Sequence, residues 1–261
     1  MQASWLRFNG ITALATAALV IGCNATDTGS GSSATTTDAA ATGVWSGTDS
    51  VSGLAVTALI NSAGQATFIR SDGVQFAGTV QVSGSTLATA VDGYTNFGNT
   101  FGDGSTYGIG TVDGTVATGS TISAALTFTT NGNTSISGTW SLSYAAQSNN
   151  VSSPAAISGN FTDASTGAVV SINSSGVMTS QNPTNGCVLN GSVSTNDTSH
   201  DVYAVAYSYG NCTGTYAQLN DVQFTGLATL STSGSAPQIL LAVRGTSSTS
   251  KYSIVSTLNG S

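Results

Sequence analysis

Glutamate is absent from this chain, and charge of either sign is scarce. Charged residues make up 6% of 261 positions, against roughly 25% in an average globular protein. The acids are all Asp, and the bases are only Arg7, Arg70, Arg244 and Lys251. The formal net charge of −7 repels phosphate backbones, and no basic cluster opposes it, which excludes nucleic acid as a partner. The same charge rules out a purely electrostatic hold on anionic lipid. The single His, His200, lies in "NDTSHD", a turn context, so a Ser-His-Asp triad has one poorly placed base to draw on. No Gly-x-Ser-x-Gly elbow and no Gly-x-x-x-x-Gly-Lys loop occur. Zinc sites need several Cys or His, and the Asp residues stand in turn strings such as "SDG", "VDG" and "GDG", where Asp bonds its own backbone. The expectation is a protein with no enzymatic activity, no catalytic residues, no metal and no cofactor. An Asp-dependent hydrolase is the least favoured alternative.

Polarity comes instead from Ser, Thr, Asn and 32 Gly, with only 3 Pro. These residues form helices poorly and suit strands and turns. Apolar residues recur with period two: Leu54, Val56, Ala58 and Ile60 share a face, as do Val74, Phe76, Val80 and Val82, then Ile122, Ala124, Leu126 and Phe128. Ile136, Trp140, Leu142 and Tyr144 form a fourth such row. The pattern predicts eight strands, at 43–48, 53–61, 65–70, 73–83, 85–91, 105–113, 115–129 (with an internal turn) and 134–144.

The chain also repeats itself. "INSAGQAT" (60–67) matches "INSSGVMT" (172–179), "VQFAGTV" (74–80) matches "CVLNGSV" (187–193), and "GTVATGSTISAALTF" (114–128) resembles "GLATLSTSGSAPQILLAV" (226–243). The matches are colinear, which implies two tandem β domains, 43–148 and 155–261, joined by a linker at 149–154. An all-β fold of antiparallel, eight-stranded up-and-down barrels follows, since closure removes exposed edges; β-sandwiches are the alternative. The openings "GVW" (43–45) and "GNF" (159–161) resemble the Gly-x-Trp start of lipocalin-like and avidin-like barrels, which implies a barrel and, as an alternative function, carriage of a small apolar ligand.

The N-terminus carries a short apolar run, "ITALATAALVIG", behind Arg7 and ahead of Cys23. It reads as a signal peptide over 1–22. "VIGC" (20–23) resembles the lipobox of bacterial lipoproteins. That resemblance implies lipidation of Cys23, palmitate among the acyl chains, and anchoring in the bacterial cell envelope. Within that resemblance, Asn24 after the cysteine implies the outer membrane for a Gram-negative source. Residues 23–42 have no apolar periodicity and are expected to be a lipidated flexible tether.

Two further features concern sites. A hairpin folding around 195–200 brings Cys187, aligned with the inward Val74, opposite Cys212, and export favours a disulfide between them. The stretch 91–108 is long for a hairpin connection and gathers Tyr94, Phe97, Phe101 and Tyr107 among Gly and Asn. These are candidate ligand-contacting aromatics for a protein, glycan or small-molecule ligand. The corresponding region of the second half holds Tyr203, Tyr207, Tyr209 and Tyr216. The function expected is binding, adhesion or packing by a membrane-anchored envelope protein.

Overall fold

The structure is a computed structural model that describes residues 37–248 and 250–260. The expected signal peptide, Cys23 and the tether as far as residue 36 lie outside the described residues. Residues 36–261 form one compact unit containing two closed, eight-stranded antiparallel barrels.

The first barrel consists of β1 (Gly43–Asp49), β2 (Ala55–Ile60), β3 (Gln65–Arg70), β4 (Gln75–Thr79), β5 (Gln81–Ser83), β6 (Thr86–Tyr94), β7 (Tyr107–Ala117), β8 (Thr121–Thr130) and β9 (Ser135–Tyr144). The short β4 and β5 are one physical strand. Both pair with β6 in a single register, from Gln75↔Tyr94 to Ser83↔Thr86. The break falls at Val80, whose N–H goes instead to the Gly64 carbonyl. β1 pairs with β2 and β9, closing the ring. The second barrel runs through β10 (Gly159–Asp163), β11 (Val169–Ile172), β12 (Val177–Gln181), β13 (Val188–Thr195), β14 (Tyr203–Gly210), β15 (Gln223–Ser231), β16 (Gln238–Thr246) and β17 (Lys251–Gly260). It closes where β10 meets β17.

One strand division differs from the period-two reading. "VDG" at 112–114 lies inside β7, and the turn comes at 118–120. "VDG" at 91–93 likewise lies inside β6. These glycines serve close approach: a Cβ on Gly114 would sit 2.0 Å from the Ser123 carbonyl oxygen, and one on Gly93 would sit 2.3 Å from the Phe128 ring.

The duplication extends to individual turns. Asp49-Ser50-Val51-Ser52-Gly53 and Asp163-Ala164-Ser165-Thr166-Gly167 bend the first hairpin of each barrel, each Asp accepting from its own Gly N–H. Asn61 and Asn173 bend the next, each Oδ1 taking two backbone N–H groups. Gly64 and Gly176 follow at φ 77° and 83°, a region that only glycine enters without strain. Tracing the ladders round both rings matches Trp45 with Phe161, Val74 with Cys187, Ile122 with Ile239 and Leu142 with Leu258. The third sequence match is corrected at its leading end: Ala228 occupies the place of Gly114, and Gly226 that of Val112.

Segments expected to be tether and linker are packed against the barrels. The last residues of the expected tether are bound to the first barrel. Asp38 accepts the Gly84 N–H at 2.6 Å, Ala39 donates to the Gly84 carbonyl at 2.7 Å, and Ala41 is buried with its carbonyl on Trp45 Nε1. Ile157, four residues before Phe161 as Ala41 is before Trp45, is fully buried in the second core. In the expected linker, Ser152 is buried with its hydroxyl on the Asp197 carbonyl, and just before it Ser148 bridges both backbone groups of Val44. Outward side chains of the two rings meet in a small apolar layer of Val44, Leu59 and Ile69 against Val202, Leu227 and Ala242. Gln75, fully buried between the rings, donates to the Val243 carbonyl at 2.8 Å and to Ser253 Oγ at 2.5 Å.

Candidate functional site at the mouth of the second barrel

The two rings share one register but are filled in different ways. In the first, four rings from β3, β4, β8 and β9 close the end that carries the long 95–106 loop. Phe68 lies 5.1 Å from Trp140, Phe76 lies 5.2 Å from Phe128 and 5.8 Å from Trp140. The loop adds Phe101, buried 5.5 Å from Phe128. The matching positions in the second ring are Ser180 for Phe68, Leu189 for Phe76, Gly245 for Phe128 and Ser256 for Trp140. Aromatic bulk has moved to the opposite wall, where Tyr209 and Phe224 stand in the places of Gly93 and Gly110 and pack against Tyr207. The exchange leaves room on the side of β10 to β13 and β17.

A cavity of about 130 Å³ occupies that room. Its inner wall includes Val170, Ser180, Leu189, Ser256 and Tyr209. Its rim is built from the β10–β11 turn (Asp163, Ser165, Thr166), the β12–β13 turn (Asn182, Asn185, Cys187), the 211–222 loop (Tyr216, Leu219) and, from the first barrel, Asn96 and Phe97. The β10–β11 hairpin is also two residues shorter per strand than β1–β2, because Asp163 falls at the position of Gly47, not Asp49. The low wall keeps the mouth open.

Each rim element is fixed in place. The Cys187–Cys212 disulfide joins the β12–β13 turn to the 211–222 loop. The ladder sets Val188 opposite Gly210, hence Cys187 opposite Asn211; Asn211 takes up the one-residue offset to Cys212 at φ 60°. Asn220 braces the same corner, accepting from Cys212 N–H at 2.8 Å and donating to its carbonyl at 3.1 Å. Phe97 is held by its own N–H on the Ser253 carbonyl at 2.8 Å. Asn96 next to it pairs with Val255 through Oδ1 and Nδ2, as a strand backbone would. The Phe97 ring then lies 5.5 Å from Tyr216 and 6.2 Å from Tyr252.

Asp163 is the one carboxylate on the wall. Its Oδ1 accepts from the N–H and hydroxyl of both Ser165 and Thr166, and Oδ2 accepts from Ser256 Oγ at 2.6 Å. Burial alone would raise its pKa; the bonds from Ser165, Ser256 and the Thr166 backbone outweigh burial and hold it below the usual carboxylate range. The carboxylate is therefore charged, with Oδ1 saturated and Oδ2 holding one hydrogen bond. Asn182 and Asn185 differ from it. Each commits Oδ1 to its own turn, on Thr184 N–H and Cys187 N–H, and its Nδ2 has no partner among the described residues.

The candidate aromatics of 91–108 separate into three roles. Phe101 is buried in the first barrel's core, while Tyr94 is buried on the outer face of β6 with its ring 5.4 Å from Tyr107. Tyr107 donates to Asp92 at 2.7 Å and carries the Lys251 ammonium 3.5 Å over its ring. Only Phe97 reaches the cavity. His200 sits on the surface with Nδ1 2.5 Å from Asp197, away from the cavity. Among the described residues no three His, Cys, Asp or Glu side chains gather as a metal set would. The chain matches no protein-family model and no curated protein sequence.

Proposed function

We propose that this is a lipid-anchored protein of the bacterial envelope with a non-enzymatic, ligand-binding role, and that the second barrel does the binding. One observation carries the reading. Two copies of one scaffold keep the same ladders and turns, yet one is solid at the mouth and the other, through Ser180 and Ser256 in place of Phe68 and Trp140, is hollow there. A core under stability pressure alone closes such a gap, since voids cost free energy. The first barrel serves as a brace that delivers Phe97, and Cys23 with the tether holds the body at the outer membrane.

The size of the cavity favours this reading over a carrier of apolar cargo. Sites for drug-sized molecules run to roughly 300–1,000 Å³, several times the about 130 Å³ found here. A hydrolytic pair of carboxylates has only Asp163 to use on this wall, and its oxygens are already engaged.

Two measurements test the reading. Cells fed radioactive palmitate should label the wild type and not Cys23→Ala; equal labelling refutes the anchor. Ser180→Phe restores the first barrel's side chain to the second and should leave folding intact while abolishing binding of single-ring probes. Unchanged binding in that variant refutes the site.

A further inference from the structure

We propose that the cavity of the second barrel takes one neutral, hydroxylated six-membered ring, that is, a monosaccharide or the terminal sugar of a glycan. The inference rests on the binding role proposed above and adds the chemical class of the ligand.

Size sets the first limit. An engineered cavity of about 150 Å³ holds one benzene molecule, so about 130 Å³ seats at most the ring of one sugar, its hydroxyl substituents lying at the rim and outside the mouth. The walls set the second. Phe97, Tyr209 and Tyr216 offer aromatic surface, while Asn182, Asn185 and Ser180 are polar. A wholly apolar ligand would strip water from the two amide Nδ2 donors and give nothing back, at a cost of roughly 1–3 kcal/mol for each donor left unsatisfied. The ligand must therefore carry acceptors on one side and C–H surface on another. Charge sets the third limit. Asp163 is an ionised carboxylate in the wall, its Oδ1 saturated and its Oδ2 on Ser256, in a chain of net charge −7, which turns away carboxylates and phosphates. A quaternary ammonium would suit the rings and the carboxylate, but it cannot accept from Asn182 and Asn185. A pyranose meets all three limits: hydroxyls take the amide donors, axial C–H bonds face the rings, and it bears no charge. The pinned backbone of Asn96 and Phe97 and the disulfide present these groups already ordered, so little freedom is lost on binding.

The test uses the full chain with Cys23→Ala to keep it in solution. Saturation-transfer NMR and calorimetry are run with methyl glycosides of glucose, galactose, mannose and N-acetylglucosamine, with benzene, tetramethylammonium and glucuronate, and with trisaccharides ending in any sugar that binds. At least one neutral glycoside should bind with a Kd on the order of 1 mM. That binding should fall tenfold or more in Tyr216→Ala and in Asn182→Leu, and vanish in Ser180→Phe. A trisaccharide tenfold tighter than its end sugar assigns the site to a glycan chain; equal affinity assigns it to free sugar. Binding of benzene, tetramethylammonium or glucuronate with no neutral glycoside bound overturns the sugar assignment and leaves the binding role standing. No binding of any probe overturns both.

Discussion

Replacing Asp201 by Asn should flatten the alkaline side of this protein's stability profile. Asp201 is 1% exposed, near the end of the second barrel opposite the cavity. Its Oδ2 accepts from Thr229 Oγ1 at 3.1 Å, and its N–H donates to the Ser148 carbonyl at 3.2 Å. Burial pushes its pKa up to about 7, more than the bonds from Thr229 and the Leu230 backbone lower it. The native pKa thus lies above the unfolded value of 3.8. Between these two values the folded chain holds a proton that the unfolded chain has released. Stability from this group is complete below about pH 4, falls as pH rises, and is gone above about pH 7. A gap of that width corresponds to at most about 4 kcal/mol. The Asn variant keeps the shape and an acceptor for Thr229 and does not titrate. Guanidinium unfolding of both proteins at pH 5 and pH 8 measures the effect. The wild type should lose about 2–4 kcal/mol more than Asp201→Asn over that interval. Parallel losses in the two proteins would refute the argument, because they would place the titration elsewhere.

Two further outcomes follow from the packing. Replacing Cys187 and Cys212 by Ala should destabilise the second barrel by roughly 3–4 kcal/mol on the chain-entropy model, read by denaturant midpoint with the first barrel unaffected. Trp140→Ser puts into the first barrel what Ser256 is in the second, without the compensating ring from Tyr209 or Phe224; calorimetry should show a loss of about 3–5 kcal/mol.

Much of the architecture was readable because strand pairing and side-chain alternation are local. Val56, Ala58 and Ile60 point one way because a strand has period two, and the Asn61 and Asn173 turns repeat because four residues determine them. The glycines of "VDG" were misread as turn residues for a physical reason: the need for a bare Cα at Gly93 arises from Phe128, which is 35 positions away in the chain. The destinations of Phe97 and Phe101 were equally hidden. Four residues apart in one loop, they join different cores, and only the packing of the two rings decides which. The cavity did leave a trace. The residue after "INSAGQAT" is Phe68 and the residue after "INSSGVMT" is Ser180, a loss of bulk at an inward position of a matched strand. Its meaning depended on Trp140 and Ser256 facing each other's place, which no short match reveals.

Ring closure has a consequence for how this protein behaves in a crowded compartment. Most β proteins keep neighbouring molecules from zipping onto them by studding exposed borders with lysine or glutamate. This chain has one lysine and no glutamate. Its protection against self-association is topological: every described strand of both rings except the three-residue β5 already has a partner on each side. The narrowest joins of the second ring, β10 to β17 and β11 to β12, span three residue pairs each, from Phe161↔Gly260 to Asp163↔Leu258 and from Val170↔Ser180 to Ile172↔Met178. Loosening either join would expose two bare borders on a molecule with one lysine and no glutamate to guard them.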